Sequence, residues 1–160
     1  MGYIGAFTVI LAVFMIWREY SGFLESELCW CRAFLDALMD MREKMRCYLD
    51  SPRVWAEGYC AKALEECGFL KALRDGMSIT EAYGLARTGA CFSESTDAVL
   101  TDCFARLGGG YLDTELEMLG SAIDKLGKEE RLRTEELPRK KKVAGAVLGA
   151  CASGIVILVI

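Results

Sequence analysis

Hydrophobic and polar positions divide this chain into three blocks. Residues 1–17, MGYIGAFTVILAVFMIW, carry no charged side chain, and neither do residues 143–160, VAGAVLGACASGIVILVI. Every Lys, Arg, Asp and Glu falls between Arg18 and Lys142. A helix rises about 1.5 Å per residue and a bilayer core is about 30 Å thick, so a span needs about 20 apolar residues. Both runs come near that length and predict an N-terminal and a C-terminal transmembrane helix. Trp17 and Tyr20 suit an interface, and Arg18 can snorkel. A signal peptide would need a basic n-region and an A-x-A-like site, which the first run lacks. A core helix would show a polar face, which the last run lacks.

The middle block is patterned for helices. Over residues 23–50, Leu24, Leu28, Cys31, Leu35, Leu38, Met45 and Leu49 recur in steps of four and three. Phe23, Trp30, Phe34, Ala37, Met41 and Tyr48 form an adjoining stripe, and Glu25, Arg32, Asp36, Glu43 and Asp50 mark the opposite face. That is the wide apolar arc of a helix packed into a globule. Ser51-Pro52 ends it and starts a second helix, expected to run to about Glu66. FLKALRD predicts a short helix stopping at Gly76. Ser78–Glu81, SITE, is a capping box that opens another at Ile79. A further helix is predicted over about 94–107, ending in Gly108–Gly110, read as a C-cap and hinge. Asp113 is expected to cap a last helix with Leu112, Leu116, Leu119, Ile123 and Leu126 on one face. Its continuation, GKEERLRTEE, is polar all round and reads as a solvated stalk. Pro138 would clash with the carbonyl four residues back, so the stalk is expected to kink there or to end near Leu137.

The expected architecture is therefore all-α: about six helices in a cytosolic bundle between two transmembrane helices. Its segments are a span at 1–17, a helical domain at 18–138, and a basic flank with the second span at 139–160. Hydrophobic residues make up 53% of the chain, and the excess sits in the ends rather than in a larger core. Arg139, Lys140, Lys141 and Lys142 abut the second run, Arg18 follows the first, and no charge lies beyond either run. The positive-inside rule then puts the middle domain in the cytoplasm and both termini across the membrane. In GAVLG, Gly145 and Gly149 stand at i,i+4, with Ser153 one turn on, and Gly2 and Ala6 repeat the spacing. Such small-residue ridges permit close helix packing in lipid.

Candidate chemistry is sparse. Histidine is absent, which removes Ser–His and Cys–His nucleophile pairs and His-containing metal sites. There is no P-loop. The net charge of −4 gives no nucleic-acid footprint. Cys29 and Cys31 diverge on a helix, no C-x-x-C occurs, and the eight cysteines read as small buried hydrophobes. Neither a catalytic residue nor a cofactor or metal site is expected.

The order of parts resembles the stage III sporulation protein AB family of endospore-forming Firmicutes. The most specific stretches are GMSITEAY at Gly76–Tyr83, LGGGYLDTELEMLGSAIDKL at Leu107–Leu126 and the arrangement over Arg139–Ile160. Family members usually have tryptophan where Tyr83 stands and glutamine where Glu117 stands. Gly109 and the many cysteines are also departures. The resemblance implies a platform protein, with a cytosolic domain similar to those of type II secretion and type IV pilus systems. It implies a place in the channel joining mother cell and forespore, in the mother-cell membrane around the forespore. Its expected partners are a secretion-type ATPase and other channel membrane proteins, and a homo-oligomer is allowed. Two alternatives from other classes are a membrane-anchored cysteine-based redox or metal sensor and a small pore-forming oligomer. Few polar residues lie in the runs, which disfavours the pore.

Overall fold

The computed structural model describes residues 2–48 and 51–159. Leu49, Asp50 and Ile160 lie outside the described residues, and the Gly2–Ala6 pair lies outside the described side chains. Among the described residues the chain is all-helical, without a strand. Seven helices follow in order: α1 (Gly2–Tyr48), α2 (Pro52–Gly58), α3 (Lys62–Glu66), α4 (Phe69–Arg74), α5 (Ile79–Gly89), α6 (Glu94–Arg106) and α7 (Leu112–Val159). The first apolar run and the amphipathic stretch after it belong to one helix, α1. The last amphipathic stretch, the stalk and the second apolar run belong to one helix, α7. Pro138 lies inside α7, so the helix does not end near Leu137.

The helix expected from Pro52 to Glu66 is two helices. Tyr59 is extended, with φ −98° and ψ 134°, as is Ala61. Arg74 explains the break. Its Nε donates to the Ala56 carbonyl (2.8 Å) and its Nη2 to the Tyr59 carbonyl (2.9 Å), while Nη2 also pairs with Glu65 (2.7 Å). Carbonyls that a continuous helix would occupy are satisfied from another element.

The other starts follow local chemistry. Ser51 accepts from Val54 N, with Pro52 at the first helical position. The Ser78 hydroxyl accepts from Glu81 N while the Glu81 carboxylate accepts from Ser78 N, so the capping box is complete. Ser93 caps α6.

The chain divides into two compact units. One comprises Met1–Ser26 with Leu132–Ile160, the other Glu27–Arg131. In the second unit, Phe34 is the centre of an aromatic cluster. Its ring lies 5.2 Å from Phe69, 5.4 Å from Phe92, 5.7 Å from Tyr83 and 6.3 Å from Phe104. Leu28, Cys31, Leu38, Met41 and Met45 of α1 are buried in the same unit, as are Leu119, Ala122 and Leu126 of α7. Phe23 and Tyr48, assigned to the apolar stripe by spacing, are exposed. In the first unit the ends of α1 and α7 run side by side, and the Lys141 ammonium pairs with Glu25.

Candidate functional site

The paired chain ends carry most of the residues to which the sequence points. Phe7, Ile10, Leu11, Phe14, Met15 and Ile16 of α1 are each more than half exposed, and so are Val143, Val147 and Ile157 of α7. Water does not favour so large an apolar surface, and a bilayer does. Among the described residues one helix, over Phe7–Tyr48, is long and apolar enough to cross a membrane, and only 6% of its apolar window is buried. A core helix of a soluble protein would be mostly covered. The hydroxyls inside the apolar runs bond within their own helix: Thr8 donates to the Gly5 carbonyl (2.8 Å) and Ser153 to the Gly149 carbonyl (2.9 Å). That closes their donors without water.

Four consecutive cations on a helix point to all sides at one level. Lys140 pairs with Glu136 one turn back at 2.7 Å, which holds that exposed carboxylate below its usual titration range. Lys141 reaches Glu25 of α1. Arg139 and Lys140 border a groove of about 570 Å³ between the two helices, completed by Ile16, Tyr20, Glu136, Val143, Ala144, Val147 and Leu148. Lys142 lies outside it.

Gly145 and Gly149 face α1, in a second groove with Val13, Phe14, Trp17 and Leu148. A methyl group on Gly145 would stand 3.3 Å from Trp17 Nε1, whereas one on Gly149 would meet nothing within 4 Å. The close approach therefore belongs to Gly145 and Trp17. The ridge was legible as spacing; its partner was not, because Trp17 reads equally well as an interfacial anchor.

The turn before α7 differs in detail from expectation. Gly108 alone of its three glycines has a left-handed backbone, φ +94°, following the extended Leu107. Asp113 does not precede the helix; it lies in the first turn of α7, where its charge complements the helix dipole. The anchoring residue is Glu115. Its Oε1 accepts from Gly108 N (2.9 Å) and Gly110 N (3.1 Å), and its side chain is buried. The turn expected as a hinge is tied by two backbone donors to one carboxylate. An acidic residue in a first turn was the available signal.

Only Cys31 and Cys103 among the eight cysteines are buried, and Cys67 is half-buried. Cys29, Cys47, Cys60, Cys91 and Cys151 are exposed, contrary to the reading as buried hydrophobes. On an amphipathic helix, thiols off the apolar stripe face outward, and small size alone does not draw them in. Burial pushes the Cys103 thiol up to about 11 and raises Cys67 as well. Neither is a thiolate at neutral pH, the form that attacks or ligates. Among the described residues no group of three or more His, Cys, Asp or Glu side chains is placed to hold a metal ion. Tyr83 donates to Asp97 Oδ1 (2.8 Å), whose other oxygen meets Arg87 (2.6 Å); burial first, then Asp97, raises the phenol's titration above its usual range. This network joins α5 to α6 and holds its proton firmly. Compared with family models, curated proteins and solved structures, the chain matches none.

Proposed function

We propose that this chain is a non-enzymatic membrane platform. In this reading both chain ends cross the bilayer, and the helical unit Glu27–Arg131 is presented in the cytoplasm to a secretion-type ATPase. The resemblance to the stage III sporulation protein AB family extends the reading to the channel between mother cell and forespore. The observation that carries it is the pairing of α1 and α7 into an uncovered apolar body whose cations gather at one level, on Arg18 and Arg139–Lys142. Positive residues stay on the cytoplasmic side of a span, which supports reading the packed unit on that side. Support for a structural rather than catalytic role comes from that unit. Polar contacts there, Trp55 Nε1 to Asp40 (2.7 Å), Thr80 to the Phe104 carbonyl (2.9 Å) and Arg74 Nε to the Ala56 carbonyl (2.8 Å), each join one helix to another.

The test is capture from an endospore-forming cell. A tagged full chain, extracted in mild detergent during engulfment, is expected to retain a secretion-type ATPase. Deleting the gene is expected to stop spore formation after engulfment. Normal sporulation without the gene would end the platform reading. Oxidant-dependent thiol labelling with no ATPase captured would favour the cysteine sensor instead, since its thiols are accessible at Cys29, Cys47, Cys60 and Cys91.

A further inference from the structure

The groove bordered by Arg139 and Lys140 is polar at one end and aliphatic at the other. Ile16, Val143, Ala144, Val147 and Leu148 wall the apolar part; Tyr20, Glu136, Arg139 and Lys140 wall the mouth. From Arg139 to Val147 it extends about 12 Å along α7, at the rise of a helix. We propose that this groove binds one anionic phospholipid, its phosphate on Arg139 and Lys140 and an acyl chain along Ile16, Val143 and Val147. The proposal rests on the membrane reading above.

Charge selects the headgroup. Two cations and one carboxylate leave the mouth one net positive charge, matching a singly charged phosphodiester. Glu136 already pairs with Lys140 at 2.7 Å and meets the Arg139 charge only through space, so the Arg139 guanidinium is held in no direct ion pair among the described residues. A guanidinium offers the fork of donors that suits phosphate. The Tyr20 hydroxyl adds a donor at the same mouth. A zwitterionic headgroup would bring its own cation towards two others. The walls select the tail. Inside the groove the side chains are hydrocarbon and the helix backbone is already bonded. A peptide would find no partners there for its amide groups, whereas an acyl chain needs none. Basic pockets between spans on the cytoplasmic side are suited to lipid headgroups on these physical grounds.

The experiment uses the full chain in a zwitterionic detergent, titrated with phosphatidylglycerol or phosphatidylcholine and read by native mass spectrometry. One phosphatidylglycerol is expected to stay bound where phosphatidylcholine does not. Arg139→Gln should lower its occupancy about fivefold, the effect of one interfacial cation. Lys142→Gln removes the same charge from outside the groove and should leave occupancy unchanged. Ala144→Trp, which fills the groove at constant charge, should also displace the lipid, with helix content checked by circular dichroism. Glycerol phosphate, the headgroup without tails, should not compete. Equal losses in the two glutamine variants, equal retention of both lipids, or competition by glycerol phosphate would each overturn the site while leaving the membrane reading intact. A chain recovered in the soluble fraction without detergent would end the membrane reading and the site together.

Discussion

Phe14 and Phe34 stand on one helix, yet the first is 58% exposed and the second is fully buried. Trp17 and Trp55 repeat the contrast: Trp17 is 36% exposed beside a glycine, whereas Trp55 is buried with its indole donating to Asp40. The two units use the same residue types to opposite ends. In Glu27–Arg131 the aromatic rings meet each other, and no buried side-chain polar atom among the described residues lacks a hydrogen bond there; the one such atom, Ser21 Oγ, is in the other unit. In the unit formed by the chain ends, apolar side chains point outward and few cross-helix contacts are polar. Hydropathy alone does not distinguish a core from a lipid face. What distinguishes them is whether charged positions alternate with apolar ones along the same helix.

The sharpest way to break this contrast is to truncate one ring in each unit. Phe34→Ala removes the centre of a five-ring cluster and should cost about 3–5 kcal/mol of stability. Phe14→Ala shortens an exposed apolar side chain and should leave the denaturation of the helical unit unchanged. Urea titration of the full chain in micelles, followed by near-ultraviolet circular dichroism, checks both. A small loss at Phe34 would mean that the cluster is loosely packed.

Alkaline pH should strike the same unit. Cys103 titrates near 11 when folded, against an ordinary value of 9.0, with burial the larger cause and the Asp102 charge the smaller. The unfolded chain therefore loses this proton first as pH rises. Stability conferred by the neutral thiol is whole below pH 9 and is lost progressively towards pH 11. Tyr83, also raised, extends the loss above pH 10. Cys103→Ala should flatten the fall between pH 9 and 11 in the urea midpoint. An unchanged fall would assign it to other groups.

The next effect is local. Gly108→Ala places a side chain at φ +94° and should cost about 1 kcal/mol. Gly110→Ala meets only the Glu115 side chain, Cγ at 3.8 Å and Oε1 at 4.0 Å, in ordinary contact, and should be close to neutral. If the turn serves movement rather than shape, Glu115→Gln should loosen it and change function at nearly constant stability, read by sporulation beside denaturation.

Which features were legible in sequence follows from how far apart the interacting residues lie. The Ser78–Glu81 box and the Ser51-Pro52 start are closed within four residues, and the all-helical class follows from spacing alone. The Tyr59–Ala61 break depends on Arg74, distant in sequence, and left no mark in the pattern. Phe92, between two helices, carries no periodic signal, yet its ring packs on Phe34, Trp30 and Tyr83. The candidate site divides in the same manner. Arg139–Lys142, Gly145 and Gly149 stand out as runs and spacings. Their partners Tyr20, Glu25 and Trp17 come from the far end of the chain and are fixed only when α1 meets α7.

The smallest expected effect concerns that meeting. A Cβ on Gly145 would stand 3.3 Å from Trp17 Nε1 and 3.7 Å from Cδ1. The first distance is tighter than ordinary contact, so the indole must move. Trp17 has room to do so, because it is partly exposed. Gly145→Ala should therefore cost only a few tenths of a kcal/mol in helix pairing, within the modest range of packing energies in membranes. Gly149→Ala meets nothing within 4 Å and should cost less still. Energy is a poor readout for such a difference; position is a better one. Lipids brominated along the acyl chain quench indoles at hydrocarbon depth. Of the three tryptophans, Trp55 is buried and Trp30 half-buried in the helical unit, so quenching should report Trp17. Gly145→Ala should raise the quenched fraction by turning the indole off α7 into lipid, and Gly149→Ala should not. No quenching in the parent chain would place Trp17 outside the bilayer and remove the contrast between the units. Equal quenching in parent and Gly145→Ala would leave the bilayer assignment standing and show that Trp17 does not rest on Gly145.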